Sequence, residues 1–150
     1  VNQKGEEILD TRMQCFQDSL MKRGLYHPEY TKFGDYYAKY GYRLLKELYN
    51  ERNMPTALFV ANDSMAAGSY RAAYELGLKI PDDISIIGFN DIPTAKYMVP
   101  PLTTVRLYME FMGEYAVKLL EERIVQGREI CVKVSIPTKL YVRDSVKTVK

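Results

Sequence analysis

Between Pro55 and Val105 two short apolar runs each end in an Asn-Asp pair, with one helix-length segment between them. Thr56 to Ala61 and Ile84 to Phe89 have the length and composition of strands. The second is nearly continuous in Ile and Phe, as expected when both faces are covered by helices. Asp63 or Ser64 is placed to cap the intervening helix, which Gly77 and Pro81 bring to an end. Two strands joined by such a helix form a right-handed parallel unit. That unit brings Asn62, Asp63, Asn90 and Asp91 to one rim of a parallel sheet, where open α/β sheets bind small molecules. The expected class is therefore α/β.

The flanking segments follow helical spacing. From Glu6 to Arg23, Leu9, Met13, Phe16 and Leu20 mark one helix face, stopped by Gly24. Lys22-Arg23 at its end reads as compensation of the helix dipole. A loop from Leu25 to Phe33 leads to a second helix beginning at Gly34-Asp35. Asp35 is its expected N-cap, and Tyr37, Gly41, Leu44, Leu45 and Leu48 form its inner stripe. Asn53-Met54-Pro55 ends that helix. Beyond Asn90 the double proline Pro100-Pro101 marks a crossing point or hinge. Glu110 to Gln126 is a further helix through Met112, Ala116, Leu119 and Leu120, ended by Gly127. Ile130, Val132, Val134 and Ile136 alternate with polar neighbours as a half-buried strand does, and Leu140 to Val142 is a last short strand. The first element is a helix where an alternating α/β unit supplies a strand, so the chain reads as the later part of something longer.

Composition narrows the function. The 150 residues, 47% of them apolar, suffice for one domain with a real core. No apolar run approaches the roughly 20 residues of a membrane span, and the N-terminal residues do not resemble a signal peptide. Cys15 and Cys131 are isolated and expected to be buried or half-buried free thiols, consistent with a reducing cytoplasm. Lys and Arg number 21 against 19 acidic residues, and the scattered +2 charge does not predict DNA binding by this chain itself. His27 is the single histidine and sits in a loop. No nucleophile elbow, paired metal-ligand spacing or glycine-rich phosphate loop appears, so neither an enzyme, a metal site nor a cofactor is expected.

Binding fits the residues better. Asn62 and Asn90 follow neighbouring strands, and an amide, donor and acceptor at once, matches a sugar hydroxyl. Tyr36, at the first turn of its helix, offers a ring to the apolar face of a pyranose, and Arg12 can fork onto adjacent hydroxyls. The competing reading is that Asn and Asp after a strand simply cap the next helix, as Asp63 and Asp35 can do.

Val60-Ala61-Asn62-Asp63-Ser64-Met65-Ala66-Ala67-Gly68, the run from Ile80 to Asp91 and Pro100-Pro101-Leu102-Thr103-Thr104-Val105 closely resemble the lactose/galactose repressor family of bacterial transcription regulators. Gly34-Asp35-Tyr36, Arg12 to Phe16 and Leu140 to Ser145 resemble further motifs of that family. The resemblance implies part of a two-lobed core of the periplasmic-binding-protein-like type I fold, a three-layer parallel-sheet architecture that is incomplete here. It places residues 1–102 in the second lobe, 104–137 crossing into the first, and 138–150 returning. It implies a small effector, with a sugar expected, bound by Arg12, Tyr36, Asn62 and Asn90. It also implies operator contact through a helix-turn-helix outside this chain, and a homodimer formed through Tyr70, Tyr74, Tyr97 and Met98. Asn90 stands where the family usually has aspartate, and Cys15 replaces the glycine of its arginine motif. The alternative is a sugar-binding transport protein of the same fold.

Overall fold

The computed structural model describes residues 10–52 and 54–148, which divide into two compact units, one up to Lys32 and one from Phe33 onward. In the first unit, helix α1 spans Thr11–Met21; the expected start at Glu6 lies outside the described residues. Asp10 is the N-cap, its carboxylate accepting the backbone N–H of Arg12 at 2.9 Å. At the far end Gly24 adopts φ +65°, and the Leu25 N–H returns to the Leu20 carbonyl at 2.9 Å. This is a Schellman closure, which needs a left-handed residue at that point. Arg23 donates to the Ser19 carbonyl at 2.9 Å, so one residue of the basic pair serves the helix end.

In the second unit, α2 spans Ala38–Asn50 and begins later than Asp35. Tyr37 occupies the N-cap position without a side-chain bond, while Asp35 lies against the Tyr40 hydroxyl and raises its pKa. Tyr37 is exposed rather than inward-facing, whereas Gly41, Leu44, Leu45 and Leu48 are buried as their spacing predicts. Asn53, expected to help end this helix, is outside the described residues. Helix α3, Asp63–Glu75, lies directly against α2. A Cβ on Gly41 would stand 1.9 Å from the Met65 carbonyl oxygen, and one on Gly68 1.8 Å from that of Ala38. The two backbones therefore meet through glycine on each side. At the rim of the same pair, Glu75 accepts from Lys46 at 2.7 Å, Tyr42 at 2.5 Å and Arg71 at 2.8 Å. These partners, Lys46 foremost, hold its carboxyl down at about 2.

The sheet has the order β1-β2-β3-β4. Strands β1 (Ala57–Phe59), β2 (Ser85–Asn90) and β3 (Thr103–Arg106) are parallel, and β4 (Lys139–Tyr141) runs antiparallel to β3. Ile84, Ile86 and Leu102 are fully buried with Leu45, Met65, Ala66, Ala72 and Ala73. Ile87 and Phe89, on the other face of β2, are half-buried. The double proline, read as a crossing or hinge, leads straight into β3. Both prolines stop short of the ladder, so no strand N–H is lost. Ser145 locks the segment after β4: its hydroxyl accepts the Thr103 N–H at 2.8 Å and donates to the Ile86 carbonyl at 2.6 Å.

Beyond β3 the expected helix is present, while two expectations, the strand that follows it and the burial of the cysteines, are corrected. Helix α4, Met109–Ile124, forms, but none of its residues is buried. Ile130 to Ile136 forms no strand, and Ile130, Val132 and Val134 are exposed. Alternation defines two faces, but a ladder also needs a neighbouring strand, and none lies beside this segment among the described residues. Cys15 and Cys131 are both exposed rather than buried: α1, which carries Cys15, buries none of its residues, and Cys131 lies in the exposed irregular segment after α4. Among the described residues, no helix is long and apolar enough to cross a membrane.

Candidate functional site

The rim at the ends of the parallel strands is built around Asn62. Its side-chain oxygen accepts the Met65 N–H at 2.8 Å, so Asn62 caps α3, and Asp63 and Ser64 do not. Its amino group donates to the Tyr36 carbonyl at 3.0 Å. Tyr36 precedes the N-cap of α2 rather than sitting in its first turn, and its side chain is 57% exposed. One N–H and one lone pair of the Asn62 amide stay available, next to an open aromatic residue.

Asp63, the next residue, is fully buried and serves structure. It accepts the Thr104 hydroxyl at 2.7 Å and the Ile92 N–H at 2.9 Å, and the Phe89 and Asp91 N–H groups also bond to it. Burial raises its pKa while these bonds oppose the rise. A Cβ at Gly88 would fall 2.1 Å from its Oδ1, so the strand has glycine where the carboxylate presses against it. Asp63 thereby ties α3 to the turn after β2, and the two Asn-Asp pairs do share one rim. In that turn Asn90 has φ +109° and Asp91 φ +56°. The Asn90 side chain makes no hydrogen bond among the described residues. Asp91 is held by Arg143 at 2.7 Å, with Arg106 at 3.8 Å.

Arg12 belongs to the first unit, where its guanidinium forks onto both oxygens of Asp10 at 3.0 Å and lowers the Asp10 pKa. The four residues expected at a dimer surface separate into two pairs. Tyr70 is half-buried, donates to the Pro100 carbonyl at 3.0 Å, and is pushed by burial to about 12. Met98 packs against the core. Tyr74 and Tyr97 are 78% and 73% exposed. Sequence reasoning missed the structural roles of Arg143 and Ser145 and the burial of Asp63. Gly88, an isolated glycine inside an apolar strand, was the available signal of a close approach.

Two cavities, of about 550 Å³ beside Tyr49 and Arg52 and about 350 Å³ along α4 near Arg123 and Cys131, have no rim residue in their lining. At the rim itself the half-buried Asn62 amide lies beside the exposed Tyr36. Free amide groups beside an exposed ring suit an uncharged polyhydroxylated ring better than an apolar ligand.

Residues 1–146 of this α/β chain match the periplasmic binding protein-like domain. The HTH-type transcriptional regulator GalR of Streptococcus thermophilus is 39% identical over 143 residues, which are 95% of this chain and 43% of that protein. A LacI family transcriptional regulator from Enterococcus faecium with bound ribose aligns at TM-score 0.82 and 29% identity, covering 93% of this chain and 52% of that one. The lac repressor dimer bound to operator and the anti-inducer ONPF aligns at 0.78 and 29%, covering 90% and 46%. The chain spans about half the length of these proteins or somewhat less. It belongs to the lactose/galactose repressor family of transcription regulators, within their periplasmic-binding-protein-like domain.

Proposed function

We propose that this chain is the effector-sensing and dimerisation region of a cytoplasmic bacterial repressor of carbohydrate metabolism. A small sugar-like effector binds at the rim and alters the operator affinity of the full-length protein. The observation that carries this reading is the Asn62 amide, which caps α3, holds the Tyr36 carbonyl and keeps hydrogen-bonding capacity facing outward. Asn90, with its unpaired amide, is the second ligand. Arg12 is assigned as a third on the family likeness alone. The relatives matched are transcription regulators, which disfavours the transport-protein alternative and gives no support to a catalytic role.

The same likeness supports assigning residues 1–102 to one lobe, 104–137 to the other and 138–150 to the return. In keeping with that division, α4 and the segment from 130 to 136 present apolar residues that nothing described covers. Tyr74 and Tyr97 are the outward-facing candidates for the dimer surface, and Tyr70 and Met98, half-buried against the core, are its inner members. Tyr74→Asp is expected to convert the full-length dimer to monomer in sedimentation. An unchanged dimer places the interface elsewhere.

Calorimetric titration of the full-length protein with a panel of mono- and disaccharides tests the sensor reading. Tyr36→Ala is expected to weaken binding about fivefold, since stacking on an aromatic ring contributes about 1 kcal/mol. It should leave stability within about 0.5 kcal/mol of wild type, because the side chain is exposed. Asn62→Ala should weaken binding and also cost about 1 kcal/mol of stability through the lost cap. Full affinity in both variants would remove the rim from consideration.

A further inference from the structure

Beyond the ends of β1 and β2, the same rim carries an excess of positive charge. Arg106, the last residue of β3, is paired directly opposite Lys139, the first residue of β4. Like charges placed opposite each other across an antiparallel ladder are unfavourable. Their surroundings do little to relieve this. Lys139 makes no ion pair among the described residues and leans over the Tyr141 ring at 5.2 Å. Arg106 lies 5.6 Å from the centres of both Tyr108 and Tyr141, and Arg143 is 5.5 Å from the Tyr141 ring. Asp91 is the carboxylate paired with this cluster, and Arg143 already holds it at 2.7 Å, leaving Arg106 at 3.8 Å. On the other side Arg106 pairs in register with Asn90, which is neutral. Two of the three cations therefore pair with one carboxylate, Arg106 only distantly, and Lys139 has no anionic partner among the described residues.

We propose that the effector carries an anionic group, a phosphate ester or a carboxylate on a sugar, and that Arg106 and Lys139 receive it. This rests on the sensor reading above and specifies the effector's chemistry. Strand spacing sets the reach: β1 to β3 is two steps of about 4.8 Å, or roughly 10 Å. A sugar ring at Tyr36 and Asn62 can thus extend a terminal phosphate or carboxylate toward the end of β3. The guanidinium supplies a fork for two anionic oxygens and the ammonium a point charge beside it. Arg106 is available for this, its side chain being 46% exposed.

The test is calorimetry on the full-length protein at fixed ionic strength. The ligands are glucose, galactose and ribose, their terminal monophosphates, glucuronate and galacturonate, and inorganic phosphate. At least one anionic sugar is expected to bind about tenfold or more tightly than its neutral parent, as charge-assisted bonds imply. That advantage should vanish in the Arg106→Gln/Lys139→Gln double variant, with affinity for the neutral parent unchanged, and should shrink as salt is raised. Preference for the phosphate or for the uronate identifies which anion is read. If neutral sugars bind in an Asn62-dependent way and the anion adds nothing, this inference fails and the sensor reading stands. Retention of the anion's advantage in the double variant also overturns it. Binding of inorganic phosphate alone, with no sugar binding at all, overturns both.

Discussion

Gly68→Val is expected to unfold the second unit or bring it to the edge of unfolding. Its Cβ would stand 1.8 Å from the Ala38 carbonyl oxygen, and that atom belongs to the backbone of α2 and cannot swing aside. Relief requires α2 and α3 to separate, which opens the seam that buries Gly41, Met65 and Ser69. A cost of about 3 kcal/mol or more is expected, at the upper end of overpacking effects. Because whole domains are stable by only about 5–15 kcal/mol, this is a large fraction of the total. Gly113→Ala is the contrasting variant. It lies inside α4 with nothing within 4 Å of its added Cβ, and it should gain about 0.5–1 kcal/mol. Urea unfolding of both decides the matter: a wild-type midpoint for Gly68→Val would mean the two helices do not meet as described.

Asp63→Ala is the second large effect. It leaves the Thr104 hydroxyl and the Ile92 N–H without their acceptor in a fully buried place. Each stranded donor costs about 1–3 kcal/mol, so a loss of about 3 kcal/mol is expected in the same unfolding experiment. Effector affinity should fall as well, because Asp63 holds the turn that carries Asn90. Asp63 also predicts a pH dependence. Burial raises its pKa above the ordinary 3.8, so the native state holds this proton more readily than the unfolded chain does. The group's contribution to stability is therefore fully present below the unfolded value and declines as pH rises through the native one. Asp63→Asn, which does not ionise, should flatten that decline at some cost in stability. An identical pH profile in wild type and Asp63→Asn would contradict the assignment.

What the sequence made legible divides along physical lines. The α2 stripe of Gly41, Leu44, Leu45 and Leu48 was readable because one buried face imposes a 3.6-residue period. Strand β2 was readable because a continuous Ile-rich run of that length has few alternatives. The rim was readable because parallel strands deliver their C-terminal residues to one edge. The identity of the α3 cap was not, since Asn62, Asp63 and Ser64 all have capping side chains and backbone geometry alone chooses among them. Tyr37 was misplaced because an aromatic residue at a helix start matches the apolar pattern whether or not the chain has yet turned into the helix. The segment from Ile130 to Ile136 shows the converse. Its alternation is clear, yet a strand is a property of two segments, and periodicity describes one. Long-range ties such as Asp91 to Arg143 and Ser145 to β2 left no local trace at all.

On the proposed sensor reading, Asn62 and Asn90 face one effector at the sheet rim. Selective ¹⁵N labelling of asparagine in the full-length protein, followed by titration with whichever sugar of the panel binds, tests it most directly. Both side-chain amide signals are predicted to move along a single saturation curve that matches the calorimetric affinity. Saturable binding that shifts neither amide, or only one of them, would contradict the account.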